Sequence, residues 1–379
     1  MKEGWKIKKL GEVSNIINGK NQKDVESSKG QYPIYGSGGN IMGYALDYLC
    51  IEGTTIIGRK GSINNPIYID TKFWNIDTAF GISAKTMVLP KFIYYFCKSY
   101  DFFKLNKGTT RPSLVKKDLL LIPIPVPPLS EQQRIVSILD AEFAKIDTLK
   151  TNAERNLQNA KDLFQSALKK ELEPKKGWSK VLLSSVCSKI GAGATPLGGK
   201  NTYCKEGVSL IRSLNVHNNT FCYKDLAHIN DTQAQLLSNV EIYENDVLFN
   251  ITGASVSRCC VVPKDVIPAR VNQHVSILRV IPNSILPSLL VYTLISPKHK
   301  TALMKEAENS ATRQSITKKN LEDWKIDYPK SVIEQQSIVS RLDILNDKCN
   351  TLQLNYEKEI ALCEDLKQAI LRKAFNGEI

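Results

Sequence analysis

Two stretches of the chain, each of 42 residues, place apolar or small side chains at helical spacing. In residues 131–172 these side chains recur every three or four positions, at 135, 139, 143, 146, 149, 153, 157, 160, 164 and 167. In residues 334–375 the same pattern runs through Ile338, Leu342, Cys349, Leu352, Tyr356, Ile360, Cys363 and Ile370. Such stripes, close to a heptad repeat, predict two long helices that each bury one face.

The rest of the chain, residues 5–125 and 178–328, shows a different pattern. Short β-branched runs are bounded by Gly, Pro or Asn, as in residues 54–58, 65–70, 246–250 and 274–278. These runs predict strand-rich globular domains. Within them we expect helices over residues 92–103 and 288–306. Residues 122–128 predict an extended connector, because their prolines donate no backbone hydrogen bonds.

The two halves of the chain repeat each other. Residues 110–119 match residues 312–321 at an offset of 202, and residues 131–140 match residues 334–343 at an offset of 203. Matches of this length and register identify an internal repeat, with one globular domain and one long helix in each copy. The first helix leaves the first domain and arrives at the second, so the second helix must run back antiparallel to it.

We therefore predict an α+β fold, with two homologous β-rich domains separated by two long antiparallel coiled-coil helices and an internal pseudo-two-fold repeat. The predicted segments are the first domain (1–128), the first spacer helix (129–173), the second domain (174–331) and the second spacer helix (332–379). Pseudo-symmetric proteins that contact DNA can meet two half-sites at a fixed separation.

The positive charge of the chain lies on the two predicted domains. The chain has 51 Lys and Arg against 38 Asp and Glu, a net charge of +13. Residues 1–130 contribute +8 and residues 173–333 contribute +7, whereas the helices contribute 0 and −1 and the last four residues −1. This distribution favours phosphate binding by the domains, with double-stranded DNA as the expected partner. A basic surface without a nucleic-acid partner is the alternative.

Composition argues against several other classes of protein. Hydrophobic residues make up 42% and charged residues 23% of the chain, which is typical of globular proteins and excludes a largely disordered chain. No run approaches about eighteen consecutive apolar residues, so we expect no membrane span and no secretory signal. The nine cysteines form no Cys-x-x-Cys pair, which favours reduced thiols in a cytoplasmic protein over disulfides or a zinc site.

Each copy carries characteristic motifs in its glycine-rich segments and at the start of its helix. They are residues 32–39, 57–63, 74–80 and 131–133 in the first copy, and 211–215, 253–255, 272–273 and 334–336 in the second. With these motifs in a two-domain, two-helix order, the chain resembles the DNA-specificity (S) subunits of type I restriction–modification systems over essentially its whole length. It departs where Gln314 replaces the proline found at Pro112, and where one extra residue precedes the second helix.

The resemblance implies a non-catalytic, sequence-specific DNA-binding subunit with two target recognition domains, each reading one half of a bipartite target. It also implies that the helices set the spacer between the halves and dock two methyltransferase (M) subunits, which restriction (R) subunits join. No cofactor is expected in this chain, because S-adenosylmethionine, ATP and Mg would act on the partner subunits.

Motifs for catalysis are weak in the sequence. Residues 64–67 are faintly similar to the Asn-Pro-Pro-aromatic motif of adenine methyltransferases but lack the second proline and the aromatic residue, so a turn is favoured. Residues 191–193 lack the third glycine of a dinucleotide-binding fingerprint, and no Gly-x-x-x-x-Gly-Lys-Ser/Thr loop occurs. The four histidines are too dispersed to predict a metal site. We therefore predict a binding protein rather than an enzyme.

Side chains that suit DNA lie in the glycine-rich segments of both copies. Arg and Lys suit guanine edges, Asn and Gln suit adenine, and Ser or Thr can contact bases or phosphate. The predicted DNA-binding residues are Tyr35, Ser37, Arg59, Lys60, Ser62, Thr110, Arg111, Arg212, Asn215, Thr252, Ser255, Arg258, Gln273, Thr312 and Arg313. The alternative is that these segments are simply turns. The Thr-Arg pairs recur in both copies, which favours phosphate contact or domain–helix packing over base reading.

Two other functions remain open from the sequence. A stand-alone DNA-modifying enzyme could use the coiled coil to dimerise, and a repressor-like DNA binder could use both domains only to occupy its site. Methyl transfer by the chain alone would favour the enzyme, whereas co-purification of methyltransferase subunits would argue against the repressor.

Overall fold

The structure is a computed structural model that describes residues 4–309 and 314–379. The chain divides into two compact units, Met1–Arg155 with Tyr356–Ile379, and Asn156–Asn355. Each unit contains one β-rich domain and parts of the two long helices. The predicted α+β fold with two homologous domains is confirmed.

The described strands of the first unit form three small sheets. Its strands are β1 (Lys6–Lys9), β2 (Ser14–Asn18), β3 (Tyr32–Tyr35), β4 (Ile41–Ala45), β5 (Thr54–Gly58), β6 (Ile67–Ile69), β7 (Trp74–Asn75), β8 (Ala79–Ala84) and β9 (Pro123–Val126). Its helices are α1 (Leu10–Val13), α2 (Pro90–Ser99), α3 (Lys116–Leu120) and the first part of α4 (Leu129–Glu171). The strand orders are β2-β8-β5-β6, β4-β3-β7 and β1-β9. All pairs are antiparallel except β3 with β7.

The second unit repeats this topology and adds to it. Its strands are β10 (Ser179–Leu182), β11 (Cys187–Ala192), β12 (Val208–Ile211), β13 (Val216–His217), β14 (Thr220–Phe221), β15 (Ala227–Ile229), β16 (Val247–Asn250), β17 (Cys259–Val261), β18 (Ala269–Val271), β19 (Val275–Val280) and β20 (Lys325–Tyr328). Its helices are α5 (Asp231–Leu236), α6 (Pro287–Ile295), α7 (Pro297–Glu308), α8 (Lys318–Glu322) and the first part of α9 (Val332–Asn376).

The sheets of the second unit match those of the first strand for strand. The orders β11-β19-β16-β17, β15-β12-β18 and β10-β20 correspond to the three sheets described above. The hairpin β13-β14 and the helix α5 are additions relative to the described part of the first unit. Together with α7, which also has no α-helical counterpart in the described part of the first unit, they account for most of the greater length of the second copy.

Prolines account for the break between α6 and α7 and for the edge position of β9. The single helix expected over residues 288–306 is wrong, because Ser296 is extended (φ −61°, ψ 150°) before Pro297 and separates α6 from α7. In the first unit, α2 ends at Ser99 and a short 3-10 turn follows at Phe102–Leu105. The predicted connector contains the edge strand β9, which pairs only with β1 in the described residues and so tolerates its prolines.

In the first unit, the two long helices pack against each other and against the domain. Leu139 of α4 and Leu371 of α9 are fully buried in the same apolar cluster as Phe92 of α2. The ring of Phe375 lies 5.1 Å from the ring of Phe92. Lys150 of α4 pairs with Glu364 of α9 at 2.5 Å. Fifteen positions after Glu364, the carbonyl of Ile379 accepts a hydrogen bond from Arg134 near the start of α4. The helices are therefore antiparallel in this unit.

In the second unit, the other ends of the two helices pack in the same way. Leu168 of α4 is fully buried with Ile338 and Leu342 of α9. Arg341 of α9 pairs with Glu171 of α4 at 2.6 Å. Each such buried leucine contributes about 1.5–3 kcal/mol through removal of apolar surface from water, so packing rather than charge holds the helices here.

Gly193 follows β11 at a point where no side chain fits. A Cβ on Gly193 would lie 2.0 Å from the carbonyl oxygen of Val271, whereas a Cβ on Gly191 would meet nothing within 4 Å. We expect Gly193→Ala to destabilise the second unit by about 1–3 kcal/mol, the usual cost of overpacking. The matched control Gly191→Ala should change stability by no more than about 0.5 kcal/mol. Urea unfolding checks this, and equal midpoints for the two variants would contradict it.

Candidate nucleic-acid interface

In the first domain, the loop after β5 is paired with the segment that precedes α3. The backbone N–H of Gly61 donates to the carbonyl of Pro112 at 2.9 Å, and the N–H of Leu114 donates to the carbonyl of Arg59 at 2.9 Å. Lys60 and Ser113 form a β-bridge between these two bonds. We call this pairing the first cradle, consisting of residues 59–62 and 110–114.

The side chains of the first cradle are arranged around a glycine. Gly61 has φ +85°, and a Cβ on it would lie 3.1 Å from the guanidinium of Arg111, so only glycine fits comfortably. Lys60, Ser62, Thr110 and Arg111 are all exposed. No carboxylate among residues 4–309 and 314–379 pairs with Lys60 or Arg111, so both cations are available to a phosphate.

Arg59 is held more firmly than its neighbours. Its guanidinium donates to the carbonyl of Asp77 at 3.4 Å and lies 5.9 Å from the ring centre of Phe80. The side chain is therefore half-buried at the edge of the cradle. It can present only part of its guanidinium outward.

The turn of the β3–β4 hairpin lies next to the first cradle. Ser37 is half-exposed in this turn, which is closed by a bond from the N–H of Gly36 to the carbonyl of Asn40 at 3.0 Å. A Cβ on Gly38 would lie 3.8 Å from the hydroxyl of Ser62, which brings the turn and the loop together.

Tyr35 is the last residue of β3 before this turn. Its ring packs edge-on against Phe73, with ring centres 5.5 Å apart. Burial, and secondarily the charge of Asp70, raises the pKa of Tyr35. Tyr35 is therefore a half-buried packing residue at the base of the candidate interface.

The second domain builds the same cradle at the equivalent position. The N–H of Gly253 donates to the carbonyl of Gln314 at 2.8 Å, and the N–H of Ile316 donates to the carbonyl of Ile251 at 2.9 Å. Thr252 forms a β-bridge with Ser315, as Lys60 does in the first domain. We call residues 251–255 and 314–316 the second cradle.

A chain of hydrogen bonds crosses the second cradle. The hydroxyl of Thr252 lies 2.8 Å from Nδ1 of His274, and the amide of Gln273 lies 3.0 Å from Nε2 of the same ring. The hydroxyl of Ser255 donates to the carbonyl of Thr252 at 3.1 Å. The structure therefore brings together three predicted residues and adds His274, which sequence reasoning considered only as a metal ligand. Its position directly after the motif 272–273 was the available signal.

Asn215 does not belong to an interface, which corrects its selection from the sequence. It is fully buried, and its Oδ1 accepts from the N–H of Arg212 at 3.0 Å. Its Nδ2 donates to the carbonyls of Cys222 and Lys224 at 2.9 and 3.3 Å. The amide therefore holds a turn together and has no free edge for a base.

The remaining predicted residues of the second domain lie apart or outside the described chain. Arg212 is half-buried, donates to the carbonyl of Asp225 and lies 5.5 Å from the ring centre of Tyr203. Arg258 is also half-buried, and its backbone closes the turn that contains Ser255. Thr312 and Arg313 lie outside the described residues.

Other features bear on what kinds of site the chain can hold. Within residues 4–309 and 314–379, no helix is both long enough and apolar enough to cross a membrane. In the same part of the chain, no group of three or more His, Cys, Asp or Glu side chains is placed to hold a metal ion.

Comparison with known proteins finds relatives along the whole chain. A family described as a type I restriction modification DNA specificity domain matches residues 2–158 and 175–362. The specificity subunit of the type I restriction enzyme EcoBI from Escherichia coli is 25% identical over 423 residues, covering 100% of this chain and 86% of that protein. The EcoKI specificity subunit from Escherichia coli K12 is 23% identical, covering 79% of this chain and 67% of that protein.

Two solved structures share the fold. A chain from a structure concerned with complex assembly and conformational transition of the type I R-M system aligns with a TM-score of 0.77 at 21% identity, covering 100% of this chain and 99% of that chain. The HsdS subunit from Thermoanaerobacter tengcongensis aligns with a TM-score of 0.52 at 21% identity, covering 100% and 98%.

Proposed function

The chain belongs to the type I restriction–modification DNA specificity family, and from that membership we propose that it is the specificity subunit of such a complex. Each β-rich domain reads one half of a bipartite DNA target. The observation that carries the proposal is the pair of matching cradles, built from the same three backbone contacts in both domains.

The proposed DNA contacts lie in the two cradles, in the turn beside the first cradle and in segments next to the second cradle, and two of them are chosen from the sequence repeat alone. They are Ser37, Arg59, Lys60, Ser62, Thr110 and Arg111 in the first domain, and Thr252, Ser255, Arg258, Gln273, Thr312 and Arg313 in the second. Lys60 and Arg111 suit phosphates, which supply most of the binding free energy and its dependence on salt. Gln273 suits a base edge, and His274 orients its amide. Thr312 and Arg313 are included because they match Thr110 and Arg111 in sequence.

The long helices are the proposed docking surface for two methyltransferase subunits, which restriction subunits join. Packing within the molecule explains why buried residues are identical in the two helices, but it does not explain why exposed residues are identical. The exposed identical pairs on α4 and α9 include Gln133 and Gln336, Ser137 and Ser340, and Leu163 and Leu366. Leu163 is 51% exposed and Leu366 47% exposed. A partner present in two copies would account for such repeated exposed residues.

We further propose that the chain itself is non-catalytic and works in the cytoplasm. S-adenosylmethionine, ATP and Mg would act on the partner subunits. All nine cysteines are free thiols, and seven of them are buried, which suits a reducing compartment.

The purified chain alone should transfer no methyl group from labelled S-adenosylmethionine to host DNA that lacks the modification. Adding the methyltransferase subunits encoded with it should restore transfer, because the reaction centre lies on those subunits. The same subunits without this chain are the control, and they should methylate no specific sequence. Methyl transfer by the chain alone would reject the proposal and favour a stand-alone enzyme.

A further inference from the structure

A buried glutamine ties the start of each long helix to its domain. Gln132 and Gln335 are both 0% exposed. The Oε1 of Gln132 accepts from the N–H of Leu89 at 2.8 Å, and its Nε2 donates to the carbonyls of Met87 and Pro127 at 3.1 and 2.9 Å. A single side chain thus joins the helix, the connector and the segment between β8 and α2.

The same three bonds recur in the second unit. The Oε1 of Gln335 accepts from the N–H of Leu286 at 2.7 Å, and its Nε2 donates to the carbonyls of Ser284 and Pro329 at 3.0 and 2.9 Å. We call each of these arrangements a glutamine clamp. A fully satisfied buried amide allows only one arrangement of the groups that it joins, since any shift would leave a polar group unpaired.

A second tie lies farther along each helix. The hydroxyl of Tyr95 on α2 donates to Asp140 at 2.6 Å, and the hydroxyl of Tyr292 on α6 donates to Asp343 at 2.5 Å. Burial raises the pKa of both tyrosines, so both keep the proton that they donate. Each aspartate follows its clamp glutamine by eight residues, or about 12 Å along the helix. With a single contact the domain could still rotate about that contact. Two contacts about 12 Å apart fix the angle between the domain and the helix.

We propose that the glutamine clamp and the Tyr–Asp tie set the angle at which each domain stands on its helix, and that they thereby determine how strictly the spacer length is enforced. The inference rests on the proposed reading of two half-sites. Adding one base pair to the spacer moves a half-site by about 3.4 Å and turns it by about 35°. A domain held by both ties cannot follow that movement, whereas a loosened domain can.

The test measures methylation by the complete complex, formed from the full chain and its methyltransferase subunits. The substrates are duplexes with the two native half-sites and a spacer that is native, one base pair shorter or one base pair longer. In the Gln132→Ala and Tyr95→Phe variants, we expect the preference for the native spacer to fall about tenfold, the effect of losing about 1.4 kcal/mol of discrimination. Discrimination against a substituted base within either half-site should stay as in the wild type.

Matched controls separate positioning from general damage. Gln158→Ala removes an exposed glutamine of the same helix, and Tyr94→Phe removes the hydroxyl of the tyrosine beside Tyr95. Both should keep the wild-type spacer preference. Tyr95→Phe deletes one oxygen and leaves Asp140 paired with Lys91 at 2.7 Å, so this variant decides the question where Gln132→Ala does not fold.

Each outcome bears on a different claim. An unchanged spacer preference in a folded Tyr95→Phe complex would overturn the inference, as would an equal loss of half-site discrimination. A wild-type complex that ignores substitutions in both half-sites would instead reject the proposed function.

Discussion

Replacing residues 1–128 by the first domain of another specificity subunit is expected to change one half of the methylated sequence and to leave the other half as it was. The physical reason is that the first cradle and the hairpin turn beside it are built wholly from this segment. Methylation of the original sequence should fall by a factor on the order of 10³ or more, the usual gap between specific and non-specific binding. Sequencing of modified bases in host DNA measures both halves and the spacer together.

The reciprocal exchange is the control for this experiment. Replacing residues 174–331 should change the other half and keep the first, because the second cradle lies within that segment. In both exchanges Gln132 and Gln335 stay on α4 and α9. The backbone groups that bond to the glutamine beside the exchanged segment must therefore be supplied by the incoming domain. A change in both halves after either exchange would argue against two independent readers.

Acid should destabilise the second unit through His299 by about 3 kcal/mol between pH 6.5 and pH 4. His299 is 7% exposed, and its Nδ1 accepts from the indole N–H of Trp324 at 3.0 Å. Burial lowers the pKa of His299 to about 4; Lys298 adds to this effect and Asp327 opposes it. The unfolded chain therefore binds a proton at a higher pH than the folded chain does. The stabilisation is complete above pH 6.5 and is lost as the pH falls towards 4.

Comparison with a variant isolates this histidine from the carboxylates that titrate in the same range. In His299→Phe/Trp324→Phe, both the acceptor and its donor are removed, so no polar group is left unpaired. Urea unfolding at pH 7, 6, 5 and 4 gives the free energy of unfolding for each protein. The wild type should lose about 3 kcal/mol more than the double variant over this range. Equal losses would show that His299 does not contribute.

Much of the fold follows from periodicity that the sequence displays openly. The apolar stripes predict helices that begin and end within a few residues of α4 and α9, and the repeat predicts matching sheets. The break between α6 and α7 could also be predicted from the sequence, because Ser296 precedes Pro297 and a residue before proline avoids helical backbone angles.

The candidate site was less predictable because it depends on where side chains point. Asn215 and Gln273 have the same chemistry in sequence, yet one holds a buried turn and the other is exposed. Residue type cannot separate these cases, since the difference arises from loop closure. Gln132, by contrast, lies one helical turn before Ile135 and so falls on the apolar stripe. That position indicated that Gln132 is buried, whereas its neighbour Gln133 is exposed.

The return of α9 to the first unit has a consequence for synthesis of the protein. Leu371 and Ala374 are fully buried in the core of the first unit, and Phe375 lies against Phe92. A ribosome makes the first domain well before it makes these residues, so part of the core of the nascent domain stays exposed to water until they arrive. The second unit, Asn156–Asn355, is continuous in the chain, and all of it leaves the ribosome before residues 371–375 do. The unit that is synthesised first is thus the one that finishes folding last.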